Sequence, residues 1–127
     1  MTYRAAAYAH DLVFTVFNNA VSAIDLHSGA VRWKIANDDI MKVARVFAAD
    51  SYVFVLFGGE LLCVEPADGT CRWRRTLSLE PGVQAMKISC VGDGVLAHYS
   101  NQVTCVDLAT GSVRWHHRAN AVATFGG

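Results

Sequence analysis

One short phrase, closed each time by a tryptophan, recurs three times along the 127 residues of this chain. It reads Ile24-Asp25-Leu26-His27-Ser28-Gly29-Ala30-Val31-Arg32-Trp33, then Val64-Glu65-Pro66-Ala67-Asp68-Gly69-Thr70-Cys71-Arg72-Trp73, then Val106-Asp107-Leu108-Ala109-Thr110-Gly111-Ser112-Val113-Arg114-Trp115. Trp33 and Trp73 stand 40 residues apart, and Trp73 and Trp115 stand 42 apart. A period of roughly 40 to 45 residues is that of a four-stranded β unit rather than of a leucine-rich or helical repeat.

Aligning the three copies brings further segments into step. Leu12-Val13-Phe14-Thr15-Val16-Phe17 matches Tyr52-Val53-Phe54-Val55-Leu56-Phe57 and Gly94-Val95-Leu96-Ala97-His98-Tyr99. These runs are β-branched and aromatic, too short for helices, and end at Asn18-Asn19, Gly58-Gly59 and Ser100-Asn101. They predict hairpin strands. A following strand enters the Asp/Glu-x-x-x-Gly turn, and a last strand leads to each Trp. Gly29, Gly69 and Gly111 sit where such a turn needs positive φ, while Asp25, Glu65 and Asp107 are expected to accept backbone N–H bonds within it. A further strand precedes each set, over about 3–9, 42–48 and 84–91. Every connection is short enough for an antiparallel meander, and no helix is required.

The repeat resembles the pyrroloquinoline-quinone-like, or quinoprotein-like, family of β-propellers, whose blades carry an aliphatic-Asp-x-x-[Ser/Thr]-Gly-x-x-x-Trp phrase. The resemblance implies an all-β fold of three four-stranded antiparallel blades, over about 3–35, 42–77 and 84–118, with 119–127 as the remnant of a further strand. It also implies that Trp33, Trp73 and Trp115 pack between neighbouring blades, where a large ring with one N–H makes a good wedge. Quinone-dependent members add a calcium, a catalytic Asp and a vicinal Cys pair. None of these maps onto a position here, so neither cofactor nor metal is expected.

Three blades are half of a six-bladed ring. A blade face of about 19 by 18 Å offers roughly 350 Å². Two uncovered faces therefore make about 700 Å² of mostly apolar surface, more than a soluble monomer usually tolerates in one patch. Joining two such arcs head to tail buries on the order of 1,400 Å², a standard specific interface, and a two-fold axis down the channel closes the ring. A homodimer is the expectation. A nine-bladed ring of three chains and an arc that completes a longer partner are the rival arrangements.

Lys plus Arg equals Asp plus Glu at 11 each, which removes the basic field that drives nonspecific nucleic-acid or anionic-membrane binding. The first ten residues lack the apolar run of a signal peptide and no segment reaches a membrane span, so a cytoplasmic location is expected. Cys63, Cys71, Cys90 and Cys105 fall singly in apolar segments and read as small buried hydrophobes. The five histidines show no metal-ligand spacing, and the adjacent His116 and His117 would face opposite ways on a strand.

Two candidate surfaces remain. Arg45 and Lys87 align on the innermost strands, with Arg4 one position off register; together they could form a cationic ring in the channel that holds a phosphate or carboxylate. The irregular loops carry Asn18, Asn19, Asp38, Asp39, Glu80 and Asn101, and loops on a rigid scaffold are where binding usually resides. Arg32, Arg72 and Arg114 precede each Trp and read as a structural device, either a bond to a turn carboxylate or carbonyl or packing of the stem over an apolar strip. No nucleophile–base pair or phosphate-cradling loop can be drawn from these spacings, so an enzyme is not expected. The sequence points to a noncatalytic protein-interaction or scaffold module, in the manner of a regulator, an adaptor or a toxin-immunity protein. The alternative is a propeller that binds a small anion in its channel.

Overall fold

Alternation of apolar and polar residues, punctuated by Gly, Asn and Asp, gives an architecture of strands and tight turns. The computed structural model describes residues 3–9 by their backbone and residues 11–17, 19–37, 43–49, 51–77, 87–99 and 102–118 in full. Among these residues there is no helix. The strands are β1 (Tyr3–Ala9), β2 (Leu12–Phe17), β3 (Ala20–Asp25), β4 (Val31–Ala36), β5 (Ala44–Ala48), β6 (Val53–Phe57), β7 (Glu60–Val64), β8 (Cys71–Thr76), β9 (Lys87–Val91), β10 (Gly94–His98), β11 (Gln102–Asp107) and β12 (Val113–Arg118). They form three four-stranded sheets in the orders β1-β2-β3-β4, β5-β6-β7-β8 and β9-β10-β11-β12, each an antiparallel meander. The expected segment 119–127 lies outside the described residues.

The turn between the third and fourth strands is built the same way in every sheet. Gly29, Gly69 and Gly111 adopt φ of 75°, 78° and 76°, the left-handed region that costs glycine nothing. Each glycine N–H donates to the carbonyl of the acidic residue four positions earlier: Asp25 at 2.9 Å, Glu65 at 2.9 Å and Asp107 at 2.7 Å. The N–H of that acidic residue in turn donates across the turn to Ala30, Thr70 or Ser112, each at 2.8 Å. Just inside the turn, the ladder shifts register at Ala23/Ile24, Cys63/Val64 and Cys105/Val106. Such a bulge twists the pair locally and re-aims the side chains beside it.

Burial follows from where each strand sits. In β6 (Val-Phe-Val-Leu-Phe) every residue is buried, because this strand has a sheet on either side and reads as a continuous apolar run. Val53, Val55 and Phe57 pack toward the first sheet with Phe14, Val21 and Trp33. Phe54 and Leu56 pack toward the third with Trp73, Ile88 and Val95. The outer strands β4 and β8 bury one residue each, and that residue is Trp33 or Trp73.

The two indoles seat on the turn glycines of the next sheet. A Cβ on Gly69 would stand 2.8 Å from Trp33 Cδ2, and one on Gly111 would stand 2.5 Å from Trp73 Cδ2. Only glycine leaves room for this contact. Gly111→Ala is therefore expected to destabilise by about 2–4 kcal/mol, from backbone strain and overpacking together. In a Trp73→Leu background the overpacking part should vanish, leaving about 1–2 kcal/mol. A urea-denaturation double-mutant cycle checks this; an undiminished cost in the second background contradicts the seating.

Candidate functional site

The turn carboxylates and the arginines beside the tryptophans form a frame along the outer edge. Asp25 Oδ1 accepts the N–H groups of His27 and Ser28, both at 2.9 Å. These two bonds, Ser28 first, hold its carboxyl below the ordinary Asp range. In the third sheet Asp107 accepts the Thr110 N–H and hydroxyl, each at 3.0 Å, and is also bound by the Arg114 guanidinium. Arg114 forks to Asp93 at 2.9 Å as well, and both carboxyls are held low chiefly by that guanidinium. The shared arginine is correspondingly harder to deprotonate, through its bond to Asp93 first and Asp107 next.

The second sheet departs from the expected pattern. Among the described residues the Glu65 side chain accepts no backbone N–H; it accepts Arg72 Nη1 at 2.8 Å instead. Its extra methylene carries the carboxylate past the turn toward the arginine. Asp68 accepts the Thr70 N–H at 3.0 Å, the same bond that the Ser28 and Thr110 hydroxyls accept from Ala30 and Ser112 in the other two turns. Arg72 also lies 5.1 Å from the Tyr52 ring centroid, and Arg74 makes a two-pronged bond to Glu60 at 3.1 and 2.7 Å. Arg32 approaches Asp25 at 3.8 Å, so all three arginines that precede a Trp reach the acidic residue of their own turn.

The innermost strands hold a register that spacing alone did not give. Arg45 stands opposite Leu56 and Lys87 opposite His98. Arg4 stands opposite Val16, the counterpart of those two residues, because a bulge between Ala5 and Ala7 absorbs the one-residue offset in β1. The three cationic positions are thus equivalent in the backbone. The Arg45 guanidinium rests 5.9 Å from the Phe47 ring centroid, and Lys87 is exposed. Of the loop candidates, Asn19 holds φ of 60° in the β2–β3 turn. Asn18, Asp38, Asp39, Glu80 and Asn101 lie outside the described residues.

All four cysteines are free thiols. Cys63 and Cys105 are buried as expected, and burial pushes the Cys63 thiol up to about 12, which suits an inert filler. Cys71 and Cys90 are exposed, contrary to the sequence reading. Cys71 falls on the outermost strand, where the Trp takes the inward place. No group of three His, Cys, Asp or Glu side chains among the described residues converges as a metal site. Two buried hydroxyls, Thr15 Oγ1 and Tyr99 Oη, lack partners among the described residues but sit in different sheets, so they do not converge on one ligand.

The clearest asymmetry lies in the tryptophans. Trp33 Nε1 donates to Pro66 O and Trp73 Nε1 to Leu108 O, each at 2.7 Å, and both rings are 9% exposed. Trp115 is 43% exposed and touches the His117 ring, with centroids 5.3 Å apart. Around it, strand alternation turns Ser89, Leu96 and His98 to the face away from the second sheet. Ser89 Oγ lies 3.2 Å from His98 Nε2. The counterparts of this polar pair in the second sheet, Phe47 and Leu56, are packed in the core. Those two polar substitutions were the sequence signal that this face differs from the inner ones.

Comparison with known proteins extends these observations. The family described as outer membrane protein assembly factor BamB matches residues 17–123. The chain is similar to serine/threonine-protein kinase AfsK of Streptomyces griseus, at 32% identity over 124 residues, spanning 90% of this chain and 15% of the kinase. Its fold is similar to BamB from Moraxella catarrhalis, with a TM-score of 0.66 and 21% identity over 91% of this chain and 36% of that one. It is likewise similar to a quinohemoprotein alcohol dehydrogenase from Pseudomonas putida HK5, with a TM-score of 0.72 and 18% identity over 87% of this chain and 19% of that one. The chain thus spans well under half the length of each of these relatives.

The depressed carboxyls make the frame sensitive to acid. A group whose folded pKa lies below its unfolded value stabilises fully above the unfolded pKa, and that contribution is lost as pH falls through the folded one. Asp107→Asn is expected to lower the melting temperature at pH 7, with the difference from the parent shrinking as pH drops below about 4. Thermal melts across pH 2.5–7 test this, and a difference that stays constant with pH contradicts it.

Proposed function

Because the chain belongs to the pyrroloquinoline-quinone-like repeat family described as outer membrane protein assembly factor BamB, we propose that it is a noncatalytic protein-interaction module whose working form is a six-bladed ring of two copies. One observation carries the reading: the apolar seam that runs from sheet to sheet through Trp33 and Trp73 reaches Trp115 and is left uncovered there. A stack of sheets that ends on an uncovered indole gains by adding another blade. The frame of turns and arginines stiffens one face of such a ring, and the loops after the second and fourth strands, at the opposite ends of the strands, act as the surface for another protein. Regulation, adaptor work and toxin blocking are all roles that a binder of this kind fills, in the cytoplasm.

A second reading draws on the shared register of Arg4, Arg45 and Lys87. Two copies would place six such positions around the channel, enough to hold a small anion by charge-assisted bonds.

Sedimentation at micromolar concentration should find a species of twice the 13.8 kDa chain mass; a stable 13.8 kDa species contradicts the ring. Added phosphate should leave the melting temperature of that species unchanged. A rise of several degrees that an Arg45→Ala/Lys87→Ala double variant abolishes would favour the anion reading over the protein-binding one.

A further inference from the structure

The two indole junctions share one construction, and the first and third sheets each carry one of its halves on their outward sides. At the first junction Trp33 Nε1 bonds Pro66 O, with the ring over Gly69. At the second, Trp73 Nε1 bonds Leu108 O, with the ring over Gly111. There Arg75, two residues beyond the Trp, also donates Nε to Gly111 O at 2.7 Å. Carried one blade further, the repeat calls for an indole from Trp115 and a turn to receive it, and the second junction adds a donor for which His117 stands in the Arg75 place.

The first sheet offers that turn. Leu26 occupies the place of Pro66 and Leu108 and is 49% exposed. Gly29 has the same φ as its counterparts, yet nothing lies within 4 Å of the space where an indole covers the other two. Its turn is closed by the same backbone bonds, and Asp25 caps it, so the socket is already formed while empty. Within one chain the two halves do not meet.

Resting on the two-copy ring proposed above, we propose that Trp115 of one copy docks on the Leu26–Gly29 turn of a second copy. Its Nε1 donates to the Leu26 carbonyl oxygen, its ring covers Gly29, and His117 donates to the Gly29 carbonyl oxygen. A second copy is the occupant because one chain carries both the wedge and the socket, so a two-fold axis fills two junctions at once. Two blade faces per junction make an interface on the order of 1,400 Å² in all, the size of a stable specific complex.

The test is complementation, read by analytical ultracentrifugation with circular dichroism as the check on folding. Trp115→Ala removes the wedge on both sides of the ring. Gly29→Asn keeps the left-handed turn but places a Cβ where the indole must lie. Each variant alone is expected to weaken dimerisation by roughly 100-fold or more, since two central aromatic contacts are lost per dimer. Mixed together they should form heterodimers, because one junction then retains both its Trp115 and its Gly29. His117→Arg, which copies Arg75, should tighten the dimer. A wild-type chain that is monomeric, as expected if blades of another polypeptide fill these places, overturns both the ring and the junction. A wild-type dimer that Trp115→Ala leaves intact, or a mixture that forms no heterodimer, overturns the junction alone and leaves the two-copy ring standing.

Discussion

Sheets stacked face to face have no backbone hydrogen bonds between them, so apolar contact alone would let them slide. In this molecule the hydrogen bond from an indole Nε1 to a turn carbonyl of the next sheet removes that freedom. Burying a Trp side chain of about 150–250 Å² gives roughly 4–6 kcal/mol of transfer free energy. The hydrogen bond itself adds only about 1 kcal/mol. The ring therefore supplies the strength and the N–H supplies the position. A ring pressed onto a glycine and tied to Pro66 O or Leu108 O has one seat, which fixes both the spacing and the rotation of one sheet against the next.

That seat must exist before the indole arrives. The paired bonds across each turn and the positive φ at Gly29, Gly69 and Gly111 shape it from local sequence alone. The carboxylates differ in how they reinforce it, since Asp25 and Asp107 accept N–H groups of the turn while the Glu65 side chain, among the described residues, holds Arg72 instead. The ion pairs along this rim are solvent-exposed and contribute less to stability than the buried rings do. Their place is to hold the turn still. Inside the rim, β6 takes the full burial of a strand covered on both sides, while Trp115 and β12 remain on the surface.

Much of this was legible from residues. The Trp phrase and its period fixed four strands per repeat, and the Gly and Asp positions fixed the turn, because these are local demands that sequence expresses directly. The repetition of an arginine before each Trp marks a structural device that could have bonded a carboxylate or carbonyl or packed its stem, and in each sheet the carboxylate is the partner reached. What escaped notice depends on context beyond the strand. The bulge in β1 that restores Arg4 to the register of Arg45 and Lys87 is a pairing property with no motif of its own. Cys71 reads as core by composition but sits on an outermost strand whose inward place the Trp already holds. Trp115 closes the same phrase as Trp33, so its exposure cannot be seen locally; it reflects which neighbour the blade has.

The claim that indole-to-turn docking orders the sheets is most directly tested by hydrogen exchange at the three indole N–H groups, followed by NMR at several protein concentrations. The account predicts that Trp33 and Trp73 exchange slowly at every concentration, while Trp115 slows only as concentration rises. Exchange at Trp33 and Trp73 as fast as in an unstructured peptide would contradict it.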